Sequence, residues 1–299
     1  LSFQFNFAEL LHCRSNKAQV LSKEWNMFNA KKTLLAMIIS VGCSQAIAAD
    51  YRDGNIRKND FSWMQMNLMQ SVDAKVPYGI RYDTYLELEF GARSGIVDLY
   101  GYVDIFDIFD SKHDDRHGGD NFFAKISPRF SLDAIFNKDL SVGPFNEFYI
   151  ATVNNIGDRE LFEHYIGLGT DVKVPWFGMV GMNVYAHYVR ENYGAENEGK
   201  WDGYMFSTNW STPFYQFANG SYLNYQGYFD YQFAANKNSD RSLYSNNAIE
   251  WYNGIYWHTE NYAVGYGLKY FRNMALMQNH GGAGRTTGLG HYFSLTWKF

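Results

Sequence analysis

Val97-Asp98-Leu99-Tyr100-Gly101-Tyr102-Val103-Asp104-Ile105-Phe106 changes character at almost every step. Val97, Leu99, Val103 and Ile105 form one set, and Asp98, Tyr100, Tyr102 and Asp104 form the other. Successive side chains of a strand point to opposite faces, so this stretch makes a strand with one apolar and one polar face. The pattern continues on both sides. Across 85–90, Glu87 and Glu89 oppose Leu86, Leu88 and Phe90. Across 122–133, Phe122, Ile126, Phe130 and Leu132 oppose Lys125, Ser127, Arg129 and Asp133. Across 223–233, Leu223, Tyr225, Phe229, Tyr231 and Phe233 oppose Asn224, Gln226, Asp230 and Gln232.

Weaker versions occupy 61–70, 145–154, 161–174, 179–191, 201–212, 247–258, 262–272 and 287–299. Together these make about twelve segments, each of the length a tilted membrane strand needs. Their apolar parity is expected to lack Asp, Glu, Lys and Arg, with Asn253 and His291 as its most polar members. Alternation alone does not say which face is outside, because a soluble sandwich alternates too. Three features favour lipid. The apolar parity is aromatic near segment ends, at Tyr188, Tyr204, Trp210, Tyr231, Trp257, Tyr262, Tyr270 and Trp297, where interfacial girdles belong. Connections alternate in length: short or middling near 92–94, 134–141, 175–178, 213–220 and 259–261, longer and polar near 72–82, 107–120, 192–200, 235–246 and 273–286. Only the one near 155–160 is short for its class. The last strand ends Phe293, Leu295, Trp297, Phe299 at every second place, which resembles the terminal signal read by the outer-membrane barrel-assembly machinery. The fold class expected is all-β: a transmembrane antiparallel up-and-down barrel of the bacterial outer-membrane type.

Composition agrees. Of 299 residues, 24 are Tyr and 24 Phe, and the net charge is −5, so no basic excess points to nucleic acid. The longest apolar run, 34–42, is far shorter than the roughly 20 residues a spanning helix requires. It has the parts of a secretory signal instead: Met27 as start, Lys31 and Lys32 as the charged region, Leu34 to Val41 as the apolar core, and Ala46-Ile47-Ala48 before the cut. The expected division is 1–26 a mis-called N-terminal extension, 27–48 the signal peptide, and 49–299 the barrel. Both cysteines, Cys13 and Cys43, precede the cut, which suits an oxidising periplasm. Cleavage before a lipidated Cys43 is the rival, weakened by Ser40 where an aliphatic residue is expected.

The lumen face carries the functional candidates: Glu87, Glu89, Asp98, Tyr100, Tyr102, Asp104, Lys125, Arg129, Glu147, Tyr149, Tyr185 and Tyr228. Aromatic faces stack nucleobases, and carboxylates and amides hydrogen-bond ribose hydroxyls. The same mixture could instead fill the lumen with cross-strand pairs. Eight strands make a filled barrel and sixteen an open one, so twelve leaves pore and plug equally open. A hydrolase would need a Ser, His and acid constellation. No G-x-S-x-G occurs, and His113, His117, His164, His187, His258, His280 and His291 stand in no nucleophile motif, so no enzyme is expected. The run Asp110-Ser111-Lys112-His113-Asp114-Asp115-Arg116-His117 mixes both signs without ligand spacing and reads as a solvated loop rather than a metal site. No cofactor is expected.

Several stretches resemble the nucleoside-specific channel-forming protein (Tsx) family, in order along the chain. They include Asp83-Thr84-Tyr85-Leu86-Glu87, Asp98-Leu99-Tyr100-Gly101-Tyr102-Val103-Asp104, Pro128-Arg129-Phe130-Ser131-Leu132-Asp133, Val142-Gly143-Pro144-Phe145, Gly167-Leu168-Gly169-Thr170-Asp171, Met182-Asn183-Val184-Tyr185-Ala186 and Trp201-Asp202-Gly203-Tyr204. A closer likeness, to one branch of that family, adds Gly91-Ala92-Arg93-Ser94-Gly95-Ile96, the run 225–233, Asn253-Gly254-Ile255-Tyr256-Trp257-His258 and Val264-Gly265-Tyr266-Gly267-Leu268-Lys269. The resemblance implies a monomeric twelve-stranded barrel that passes nucleosides and related small solutes by diffusion. It also implies outer loops that phages use as receptors; the expected barrel itself would contact outer-membrane lipid and lipopolysaccharide, and its terminal strand would present Phe299 to the assembly machinery. The alternative is a general or nearly closed barrel serving structure or adhesion, without nucleoside selectivity.

The ordered signal yields a direct expectation. Protein taken from outer membranes should begin at Ala49 or Asp50 on N-terminal sequencing; a retained N-terminus, or lipid on Cys43, contradicts it.

Overall fold

The computed structural model describes residues 53–109, 121–158, 160–236, 240 and 242–299. The expected signal peptide and the charged loop 110–117 lie outside them. The elements are β1 (Phe61–Val72), β2 (Ala74–Val76), β3 (Gly79–Arg81), β4 (Thr84–Ser94), β5 (Val97–Ile105), β6 (Phe122–Ser131), α1 (Leu132–Phe136), β7 (Phe145–Gly157), β8 (Leu161–Val174), β9 (Gly178–Asn192), β10 (Lys200–Gln216), β11 (Tyr222–Phe233), β12 (Ala248–His258), β13 (Tyr262–Arg272) and β14 (Gly288–Lys298). All strands except β2 and β3 form one closed barrel of sequence neighbours. β1 completes the ring by pairing antiparallel with both β4 and β14. Closure leaves no edge, so every strand finds backbone partners on both sides without water.

Burial is inverted relative to a water-soluble protein. Leu88, Ile105, Leu168, Val184, Ile255, Val264 and Leu295 are exposed, while Asn67, Arg93, Asp98, Asp104, Glu147 and Asp171 are buried. A soluble sandwich would reverse those two sets. The apolar parity therefore faces lipid. The girdle aromatics sort to two levels. Tyr188, Tyr204, Tyr231 and Tyr270 lie toward the end with the long connections, and Trp210, Trp257, Tyr262 and Trp297 toward the end with the short ones.

Four details differ from the sequence reading. The outer parity is not free of charge: Arg190 projects outward, its guanidinium 4.9 Å from the Phe162 ring centroid. Asn154 and His164 are outward too, and pair with each other at 2.7 Å. Asn253 and His291 are likewise paired, with the hydroxyls of Tyr225 (2.5 Å) and Tyr266 (2.8 Å). Lipid supplies no alternative partner, so these outward amide and imidazole groups find one on the wall. Second, 72–82 is not a plain loop but holds the β2–β3 hairpin. The hairpin tucks against β14 at the long-loop mouth, where the buried Lys75 donates to the Leu289 carbonyl at 3.0 Å. Third, β10 continues past residue 212 with a bulge between Pro213 and Tyr215, the place in a strand where a residue without an N–H is tolerated. Fourth, Asp133 does not continue the lumen face. β6 ends at Ser131, whose hydroxyl accepts from Ala134 N (3.1 Å) to cap α1. Asp133 instead accepts from the amides of Leu140 (2.9 Å) and Phe148 (3.2 Å).

The facing of the two parities predicts unequal costs for a charge. Val264→Arg, on the lipid face, should cost roughly 2–4 kcal/mol of folding free energy near the midplane, and Ser127→Arg, on the lumen face, clearly less. Folding titrations into liposomes measure both, and equal costs would contradict this assignment.

Candidate functional site: the barrel lumen

One side of the lumen is filled. Arg93 on β4 reaches past β5 and β6 to clasp Glu147 on β7 with both terminal nitrogens, and also donates to the Tyr149 hydroxyl at 3.3 Å. Arg129 on β6 pairs with Asp98 on β5 and donates to Asp171 on β8 at 2.8 Å. Its guanidinium lies 4.0 Å over the Tyr149 ring, and the Tyr149 hydroxyl donates to Asp171 at 2.8 Å. Glu147 and Tyr149 are both 0% exposed. Toward the long-loop end, Ala151, Val153, Tyr165, Tyr185 and Met205 pack into a buried cluster, and the Tyr165 and His187 rings stack at 4.3 Å. Charges taken out of water survive only when paired, and here nearly every carboxylate has its cation or hydroxyl.

The opposite side leaves Tyr100 and its neighbours partly accessible, although Asn67 and Thr296 are buried. On β1, Gln65 donates to Glu89 at 2.6 Å, and Asn67 donates to Glu87 at 2.7 Å while accepting from Thr296 on β14 at 2.7 Å. Tyr100 donates to Glu89 at 2.9 Å and remains 41% exposed. Tyr102 stands edge-on beside it, ring centroids 6.3 Å apart. Facing this wall, Tyr228 and Tyr252 stack at 5.8 Å, and the hydroxyls of Tyr252 and Tyr256 meet. These last two rings lie directly on glycines: a Cβ at Gly265 or Gly267 would fall within about 2.3 Å of Tyr256 or Tyr252 ring atoms. Any other residue there would push the rings into the lumen.

Between the two sides run links across the barrel. Lys125 on β6 and Asp230 on β11 approach to 3.7 Å, with four strands between them on the shorter way round. Gln232 on β11 donates to the hydroxyl of Tyr165 on β8 at 2.7 Å. Beside them, on the adjacent strands β12 and β13, Lys269 pairs with Glu250 at 2.6 Å.

The candidates thus separate. Glu87, Glu89, Tyr100, Tyr102, Asp104 and Tyr228 belong to the accessible side, although Asp104 itself is buried. Lys125 stands at the boundary. Asp98, Arg129, Glu147, Tyr149 and Tyr185 are inside the barrel but locked into packing. The sequence reading omitted Gln65 and Asn67, which alternate with Met64, Met66 and Leu68 and carried the signal that would have found them. The glycine floor had no such signal. Among the described residues no three His, Cys, Asp or Glu side chains converge to hold a metal.

Arg93 depends on its carboxylate. Glu147→Ala should destabilise the folded barrel by about 3–5 kcal/mol, because it strands a buried guanidinium. A urea midpoint read from the heat-modifiable gel band measures it; an unchanged midpoint would mean that the pair is not buried as described.

A family profile described as "Nucleoside-specific channel-forming protein, Tsx" matches residues 58–299. The outer membrane protein OmpK of Vibrio parahaemolyticus is 45% identical over 273 residues, covering 90% of this chain and 100% of that one. The nucleoside-specific channel-forming protein Tsx of Salmonella typhimurium is 31% identical over 292 residues, covering 90% and 100%. Among solved structures, a KdgM porin gives a TM-score of 0.43 at 8% identity, covering 79% of this chain and 99% of that one. The family is one of channel-forming barrels, not of enzymes. This chain, an outer-membrane β-barrel, belongs to the Tsx family of channel-forming proteins.

Proposed function

We propose that the barrel lets nucleosides and related small solutes diffuse across the outer membrane, binding them weakly on the way. The observation that carries this is the pairing of two tyrosine walls with carboxylates. The ammonium of Lys125 lies within 6.0 Å of the ring centroids of both Tyr102 on β5 and Tyr228 on β11, so the two walls face one another across a narrow gap. Glu87 and Glu89 lie beside Tyr100 and Tyr102, where they would accept from ribose hydroxyls or an exocyclic amine. Base stacking on an aromatic side chain is worth roughly 1–3 kcal/mol in single-strand systems, and a wet lumen puts it near the low end. Weakness suits the task, since a pore that holds its solute tightly stops conducting. The relatives named for nucleoside-specific channels support the same solute class.

The reading includes a monomer embedded in lipopolysaccharide and lipid, exported with the signal 27–48. Its C-terminal Phe299, stacked on Trp297 at 5.7 Å, is offered to the assembly machinery, and its outer loops serve as a phage attachment surface. A second reading, a nearly closed structural barrel, draws on the links Lys125–Asp230 and Gln232–Tyr165 that cross the lumen.

Single-channel recording separates them. Adenosine or thymidine at millimolar level should reduce the ion current reversibly, and free ribose should do so much less. Replacing Tyr100 and Tyr102 together with Ala should weaken the block while the folded band persists. A well-folded, conducting channel indifferent to nucleosides would remove the selective reading, and a barrel with no current would favour the closed one.

A further inference from the structure

We infer that the links from β11 to β6 and β8 are a partition, confining passage to one sector of the lumen, lined by β11–β14, β1, β4 and β5. The inference rests on the channel reading only in requiring that the barrel conducts. It concerns where solutes go rather than which solutes go.

Three independent observations carry it. The first is the pair of cross-lumen contacts. Lys125 meets Asp230 at 3.7 Å and Gln232 meets the Tyr165 hydroxyl at 2.7 Å. Both acceptors or donors on the β11 side come from the same lumen-facing row, two residues apart, so together they make a seam rather than a point. The second is what lies behind the seam. The strands from β7 to β10 enclose the buried cluster built around Tyr165, Tyr185 and Met205, and Ala151 within it is 0% exposed. The third is what lies in front. Tyr100 is exposed inside the barrel, and the wall opposite is kept flat by Gly265 and Gly267 beneath the Tyr256 and Tyr252 rings. At the level of Tyr100, filled space, the links and accessible groups follow one another across the lumen, while Arg93 and Asp98 carry the filled side onto β4 and β5 near the short-loop mouth.

The seam also borders the open sector at Lys125. Lys125 sits between the Tyr102 and Tyr228 rings, at 5.9 and 6.0 Å from their centroids, so a solute in the open sector passes the Lys125 stem. That stem is a side-chain wall held in place by one carboxylate. If Asp230 releases it, the passage changes width without any backbone motion.

Thiol accessibility tests the partition directly, because the sequence has only Cys13 and Cys43, both before β1 in sequence. In a full-length Cys13→Ser, Cys43→Ser background, Gln65→Cys and Tyr100→Cys should react with a cationic methanethiosulfonate reagent and lose current. Ala151→Cys and Val153→Cys should keep their current, with the folded gel band confirming each barrel. Lys125→Ala should raise single-channel conductance by about twofold, as removal of a side chain from a constriction does. The exchange Lys125→Asp with Asp230→Lys should restore a conductance near that of the parent. Reaction and current loss at Ala151→Cys equal to that at Gln65→Cys would overturn the partition, and so would an unchanged conductance in a folded Lys125→Ala barrel. Loss of nucleoside block with this accessibility pattern intact would sink the solute reading and leave the partition standing.

Discussion

The constraint on which the rest depends is that hydrocarbon offers a backbone amide no partner. A sheet in lipid must therefore close, and here the closure is the β1–β14 pairing, Gln65 to Val72 against Lys298 to His291. Contacts on the lumen face tie the same seam. Thr296 donates to Asn67, which in turn donates to Glu87, so a polar chain runs from the last strand through the first to the next. At the lower rim the amide of Phe299 donates to the Met64 carbonyl at 3.0 Å. The chain end is thus part of the closure rather than an appendage.

Closure turns burial inside out, and this has an energetic consequence for the lumen. Charges on the inner face are removed from bulk water by the wall itself, so they must be satisfied by one another or by a narrow column of water. A carboxylate clasped by an arginine is satisfied and leaves little for a solute. Glu147 under Arg93, and Asp171 under Arg129 and Tyr149, are of this kind. A carboxylate held by neutral amides and a hydroxyl is oriented but has no cation against it. Glu89, held by Gln65, Asn67 and Tyr100, is of the second kind. The difference between an acid locked into packing and one left with an accessible charge is therefore a difference in partner, not in residue type.

That distinction explains how far the sequence could be read. The alternation in 97–106 and its counterparts reports which face each side chain takes, and the sequence of short and long connections reports which mouth each turn meets. Both are local, and both held for the twelve barrel strands. Depth is not local. Glu87 and Glu147 look alike as acids on the polar parity, yet one faces Asn67 and the other Arg93, and the partner is set by strands that meet only when the ring closes. The Lys125–Asp230 approach joins positions about one hundred residues apart. The β2–β3 hairpin was missed because three-residue strands show too little period to detect. Arg190 shares the parity of Tyr188, so the alternation itself places it outward at the long-loop rim.

The glycine floor shows how wall and lumen chemistry are coupled. A tyrosine projecting from a strand would ordinarily stand out from the sheet and occupy the bore. On β12 the rings of Tyr252 and Tyr256 instead lie against β13, because Gly267 and Gly265 present no side chain there. The floor matters only if the ring is to be kept out of the way and still present a face. A closed lumen gains nothing from it, since standing rings fill space better and the cluster around Tyr185 and Tyr165 does so three and four strands away. Across the gap, Tyr100 and Glu89 place a ring edge and a carboxylate on the opposite wall. A flat aromatic wall faces a mixed polar one. On the proposed reading, such a slot would orient a solute that is planar and apolar on its faces and polar at its edge, by shape before any single hydrogen bond is made.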